Sequence, residues 1–284
     1  MGTSPVNLAH EVADLVSLPE IYLKVREIMD DPAASFTDMA KVIAVDPGMT
    51  ARILRIANSA FCNFAARITT VQHAMSLLGT QQIHDLVLAT SVIDCFSKIP
   101  DGLLDMRKFW HRSVTCGCGA KLLAESRDLF DSERLFTAGL LTHIGRLVLY
   151  LRRPEIMRQA QSDFLETGIP VQQTLESELG FDDAAVGGEF LSAWNLPESL
   201  AEPVRYYTHP SRAKSHTLEA AILHIASAIA DSGAVDTAEE DLIRQLDETA
   251  WSSLEMSRPG LLDLKSQSEN LVKEIAEQFM HATV

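Results

Sequence analysis

The chain has 284 residues, and its 24 Lys and Arg against 39 Asp and Glu leave a net charge of −15 at pH 7. With 46% hydrophobic and 22% charged residues the composition is globular and not disordered, and the length allows one large domain or two small ones with a sizeable core. An acidic surface repels phosphate backbones and anionic bilayers, which excludes nucleic acid and membranes as expected partners, and no stretch approaches the roughly 18 uncharged apolar residues of a spanning helix.

The first 14 residues carry His10, Glu11 and Asp14 within their apolar pattern, so the uninterrupted apolar core of a signal peptide is missing and a cytoplasmic location is expected. Apolar residues recur at three- and four-residue spacing almost throughout, and alternating runs bounded by turn residues are absent, which predicts an all-α protein. In chain order the spacing gives helices over 5–16, 20–30, 36–45, 48–58, 70–78 and 81–97. Ser4-Pro5 and Asp46-Pro47 place Pro at a first helical position, and Ser35 with Asp38 reads as a capping box. Pro100 and Gly102 mark the clearest break, which divides the chain into a lobe of residues 1–104 and another of residues 105–284.

Helices follow over 106–126, 132–151, 154–167, 171–179, 182–194, 198–207 and 217–231. The acidic stretch 236–248 reads as a solvated helix packed by one apolar edge, and 259–281 as a final amphipathic helix carrying Leu261, Leu264, Leu271, Ile275 and Phe279. Phe109, Trp110, Phe136 and Trp194 are expected core anchors, and His73 and His224 satisfied core or half-buried residues. Cys62, Cys95, Cys116 and Cys118 lack zinc-site spacing and read as structural thiols.

Residues 36–58 have the length of a helix-turn-helix, with Arg52 and Arg55 on the second helix. That helix begins Pro47-Gly48-Met49, without the polar and basic groups a recognition helix presents at its N-terminal end, and two helices joined by a tight turn suffice as a reading.

Four segments carry a more specific pattern: FWHRSV (109–114), AGLLTHIGRLVL (138–149), LGFDDAAVG (179–187) and YYTHP (206–210). In this order they resemble the HD superfamily of metal-dependent phosphohydrolases. Upstream, LPEIYLKVREIMDD (18–31), DPGMTARILRIANSAF (46–61) and ITTVQHAMSLLG (68–79) resemble the lobe specific to its HDOD branch. The resemblance implies a multi-helix HDOD fold, an N-terminal helical lobe packed on a C-terminal HD-like lobe. It also implies a set of metal ligands that this sequence replaces. The first His of the family falls on Arg112, the His-Asp pair on Thr142 and His143, a further His on Asp183, and the closing Asp on Ser227.

His111 and His143 each stand one residue from an expected ligand, but one step on a helix turns a side chain by about 100°. Arg112 would also put a permanent positive charge where a cation should sit. The expectation is therefore no metal, no cofactor and no catalytic residue. Arg112, Thr142, His143, Arg146, Asp183 and Ser227 would line a vestigial pocket, with Arg112 and Asp183 as an ion pair in place of the metal. The resemblance further implies a regulatory role in signal transduction through protein partners, in settings such as cyclic-dinucleotide, chemotaxis or motility control. Two other readings stay open. One is a residual phosphohydrolase acting on nucleotides or cyclic dinucleotides through residues such as His111, His143, Asp183 and His209. The other is a sensor in which Arg112 and Arg146 hold a small anion.

Overall fold

The computed structural model describes residues 4–62, 64, 67–96, 104–129, 131–233 and 239–280, the side chains of 277–280 excepted. Among the described residues there are helices and no strand. They are α1 (Pro5–Ala13), α2 (Glu20–Asp30), α3 (Phe36–Ala44), α4 (Pro47–Ala57), α5 (Val71–Leu78), α6 (Thr80–Cys95), α7 (Met106–Glu125), α8 (Ser132–Leu141) and α9 (Ile144–Arg152). There follow α10 (Pro154–Thr167), α11 (Val171–Leu179), α12 (Asp183–Ala193), α13 (Glu198–Tyr206), a 3-10 turn (Pro210–Arg212), α14 (Thr217–Ser232), α15 (Glu239–Arg244), α16 (Glu248–Ser253) and α17 (Arg258–Met280). None of these helices is long and apolar enough to cross a membrane.

Most starts follow from local chemistry. Ser4, Asp46, Asp105 and Asp182 each accept a backbone N–H from the first turn of α1, α4, α7 and α12. The Ser35 backbone N–H and hydroxyl both donate to Asp38 Oδ2 at the start of α3. These bonds satisfy donors that a helix N-terminus otherwise leaves open.

Two helices differ from the sequence reading. The span 132–151 is broken at Thr142 and His143, where His143 leaves helical geometry with φ −96° and ψ 13°. The apolar period runs on through the break, so nothing local announces it. The acidic stretch yields α15 and then a separate α16 capped by Asp247, while 236–238 lie outside the described residues.

The chain divides into two compact units. One holds α2–α6 and α17 from Glu269; the other holds α1, α7–α16 and α17 through Ser268. In the first unit Tyr22, Ile43, Met49, Ile53, Val87 and Ile93 are buried. Arg52 of α4 is held by Asp94 of α6 at 2.7 Å and is not displayed to a ligand. Asn58 clamps the following loop, donating to the Leu54 and Ile68 carbonyls and accepting from Ile68 N–H, each at 2.7 Å.

In the larger unit α7 packs on α8 and α14, and α12 on α1, α9 and α13. Residues 4–17 therefore go with this unit and not with α2–α6: Trp194 Nε1–H donates to the Val16 carbonyl at 2.9 Å, and Glu11 pairs with Arg152 at 2.7 Å. Phe109, Trp110, Phe136 and Trp194 are buried as expected. His73 departs from expectation and is exposed on α5. Cys116 and Cys118 are buried free thiols, and burial pushes the Cys116 thiol up to about 12.

Two close backbone contacts set the geometry that follows. A Cβ added to Gly139 of α8 would lie 2.7 Å from Gly117 Cα of α7, and one added to Gly145 of α9 would lie 2.0 Å from the Asp183 carbonyl oxygen. Only glycine allows either approach.

Candidate functional site

The approach at Gly145 carries Arg146, the next residue, against the first turn of α12. Its Nε–H donates to Asp183 Oδ2 at 2.8 Å, and the Tyr207 hydroxyl donates to the same oxygen at 3.0 Å. Both charged side chains are buried, Arg146 at 4% exposure and Asp183 at 0%. The opposite charges and the two donors on Oδ2 offset the cost of burying both groups.

Arg112 projects from the second turn of α7 and pairs with Asp231 at the end of α14. One of its terminal nitrogens also stands 3.3 Å from His143 Nε2, which is 2.9 Å from Ser227 Oγ. A guanidinium only donates, so His143 Nε2 accepts and the ring proton sits on Nδ1. Burial, then the charges of Arg112 and Arg146, drives the His143 pKa well below its ordinary value, so the ring is neutral. Burial would lower Arg146 as well, but the facing Asp183 charge more than reverses this and the guanidinium stays charged. The Tyr207 hydroxyl is raised well above its ordinary value by burial and by the same carboxylate.

Five of the six residues expected in the pocket thus come together: Arg112, His143, Arg146, Asp183 and Ser227. Thr142 does not join them, because its hydroxyl donates back to the Ala138 carbonyl at 2.9 Å. The expected ion pair between Arg112 and Asp183 is corrected. Asp183 is taken by Arg146, and Arg112 by Asp231, which lies one helical turn beyond Ser227 on the same face of α14. Asp231 and Tyr207 are the residues that the sequence reading missed. The i, i+4 relation of Ser227 and Asp231 on a helix was the available signal for the first. His111 is exposed and takes no part.

Arg112, Arg146, Tyr207, Ser227 and Asp231 form one end of a cavity of about 240 Å³, which also reaches Phe164, Glu176, His209 and Ala228. The residues at the place of the HD metal do not fit a metal ion. The Arg112 guanidinium lies against His143 and Asp231, His143 Nε2 is engaged by Arg112 and Ser227, and one Asp183 oxygen is held by two donors. Nearer the surface, Glu176, Asp182 and His209 bring one ligand atom each within 4.8 Å of one another, the single such group among the described residues. Their atoms are already engaged: His209 Nε2 with Glu176 at 3.3 Å, and the two Asp182 oxygens with Ala185 N–H and the Thr208 hydroxyl. Burial, then the neighbouring Asp183 charge, raises the Asp182 pKa.

The sequence pattern of the HDOD domain matches residues 15–210, and the chain belongs to that family. A Treponema pallidum (strain Nichols) protein named only as uncharacterized is 23% identical over 207 residues, 71% of this chain, and the chain spans 39% of that relative's length. The chain is similar to a crystal structure of an HDOD domain protein of unknown function from Geobacter sulfurreducens, with 21% identity, a TM-score of 0.76 and coverage of 96% of this chain and 97% of that one. A Shewanella amazonensis SB2B protein, titled as a candidate phosphohydrolase, aligns with 23% identity and a TM-score of 0.69 over 97% of this chain and 96% of its own. At these identities the structures show a shared helical fold.

Proposed function

We propose that the chain is a non-catalytic regulatory module of HDOD type that acts in the cytoplasm through signalling-protein partners. The observation that carries this reading is the buried network at the HD metal position, where Arg112–Asp231 and Arg146–Asp183 stand in place of a ligand set. A hydrolase of this superfamily needs an open position for an activated water on a metal. Here Arg112 is a cation with no lone pair to offer a metal, and the histidine beside it is neutral and hydrogen-bonded.

The test is a panel of nucleotide, cyclic-dinucleotide and generic phosphoester substrates with Mn²⁺, Fe²⁺ or Mg²⁺ added. No turnover above the protein-free control is expected. Turnover abolished by His209→Ala would overturn the reading in favour of a hydrolase working through Glu176, Asp182 and His209. A partner is then sought by reciprocal pull-down, with retention of one defined signalling protein in both directions as the expected result.

A further inference from the structure

We propose that the cavity between α7, α9, α11 and α14 binds a small oxyanion, a carboxylate or phosphate group, on the terminal nitrogens of Arg146 and Arg112. This does not rest on the regulatory reading, since an enzyme and a binding module would hold such a group equally.

The argument starts from donors. A guanidinium carries five N–H groups and no acceptor. Arg146 is 96% buried by side-chain exposure of 4%, yet among the described residues its single hydrogen-bond acceptor is Asp183, at Nε. Arg146 is part of the cavity wall, and among the described residues its terminal nitrogens have no protein acceptor. Arg112 engages Asp231 and His143 through one terminal nitrogen, leaves its buried Nε without a partner, and lines the same cavity. Buried donors left unmatched are costly, and charged ones more so.

Charge does not forbid the ligand. Asp183 and Asp231 cancel the two guanidinium charges while using a minority of their N–H groups, so the cluster is neutral and rich in donors. Asp183 has an oxygen without a partner, but it is not part of the cavity wall. Phe164 and Ala228 make part of that wall apolar, which strengthens a charge-assisted bond inside. Exposed Glu176 on the cavity wall disfavours polyphosphates, and 240 Å³ suits a small organic acid or a phosphate monoester. Paired guanidinium edges match the planar or tetrahedral oxygens of either group.

The test titrates the full chain with inorganic phosphate and, separately, with acetate, at constant ionic strength and with chelator present so that no ion at Glu176, Asp182 and His209 can carry the anion. Binding is read by calorimetry and by thermal shift. One of the two probes is expected to bind saturably, and the probe that does so separates a phosphate from a carboxylate site. Arg146→Met is expected to weaken it about tenfold or more. Because that variant leaves Asp183 buried without its partner, Ala228→Phe serves as the second: it fills the cavity, keeps both ion pairs and should abolish binding while the protein stays folded. No saturable binding of either probe, or binding that a folded Ala228→Phe leaves unchanged, would overturn the proposal.

Discussion

His143 is fully buried between Arg112 and Ser227, and its protonated form would meet two guanidinium charges. Its folded pKa lies below the ordinary value near 6.5, so both folded and unfolded chains hold it neutral above that pH. As pH falls below about 6.5 the unfolded chain takes a proton that the folded chain refuses, and stability is lost at about 1.4 kcal/mol per pH unit for one such group. His224, lowered mainly by burial, acts in the same direction. Urea melts between pH 7 and pH 5 should therefore show declining stability, with the slope reduced by about one proton in His143→Gln. An unchanged slope would remove His143 from the account.

The ion pairs make a second prediction at this scale. Asp183→Asn leaves Arg146 buried without its counter-charge and should cost about 3–5 kcal/mol in denaturant unfolding, whereas Glu20→Gln, which breaks an exposed pair with Lys24, should leave the unfolding midpoint close to that of the parent chain. Much of the loss should return in Arg146→Met combined with Asp183→Leu, because that change removes both charges together. The identities of these residues were legible in the sequence, since motif order set Arg112, His143, Arg146, Asp183 and Ser227 apart. Their pairing was not, because Arg112 chooses between two carboxylates by distances fixed only when α7, α12 and α14 pack.

Among the helices, the glycine contacts decide where the charged residues fall. The backbone approach at Gly145 holds α9 on α12, and that at Gly139 holds α8 on α7. Gly145→Ala must force the chain away from the Asp183 carbonyl and should destabilise by about 3 kcal/mol or more, at the upper end of overpacking costs. Gly168→Ala meets open space and carries only the strain of its positive φ of 74°, about 1 kcal/mol, so comparing the two melts separates crowding from backbone strain. Helix content and most starts were legible because caps and prolines act within a few residues, as at Ser4, Asp46 and Ser35. The break at Thr142 and His143 was not, because the apolar period continues through it.

The molecule as a whole keeps two compact units, and its division also mixes local and distant causes. Pro100 and Gly102, where the sequence places its clearest break, lie outside the described residues. The placement of residues 4–17 with α9 and α12 depends on Trp194 reaching the Val16 carbonyl, a contact between residues 178 apart that no periodicity announces. The charge of −15 has a narrower meaning once the site is built, because Asp183 and Asp231 neutralise guanidinium groups.

The central claim is that the HD metal position is filled by the protein's own arginine and aspartate pairs. Elemental analysis after purification without chelator tests it most directly, run on the parent chain and on His209→Ala. Substoichiometric Fe, Mn and Zn in both is the predicted result. One equivalent of any of these metals, retained in His209→Ala and so held away from the surface trio, would contradict the claim.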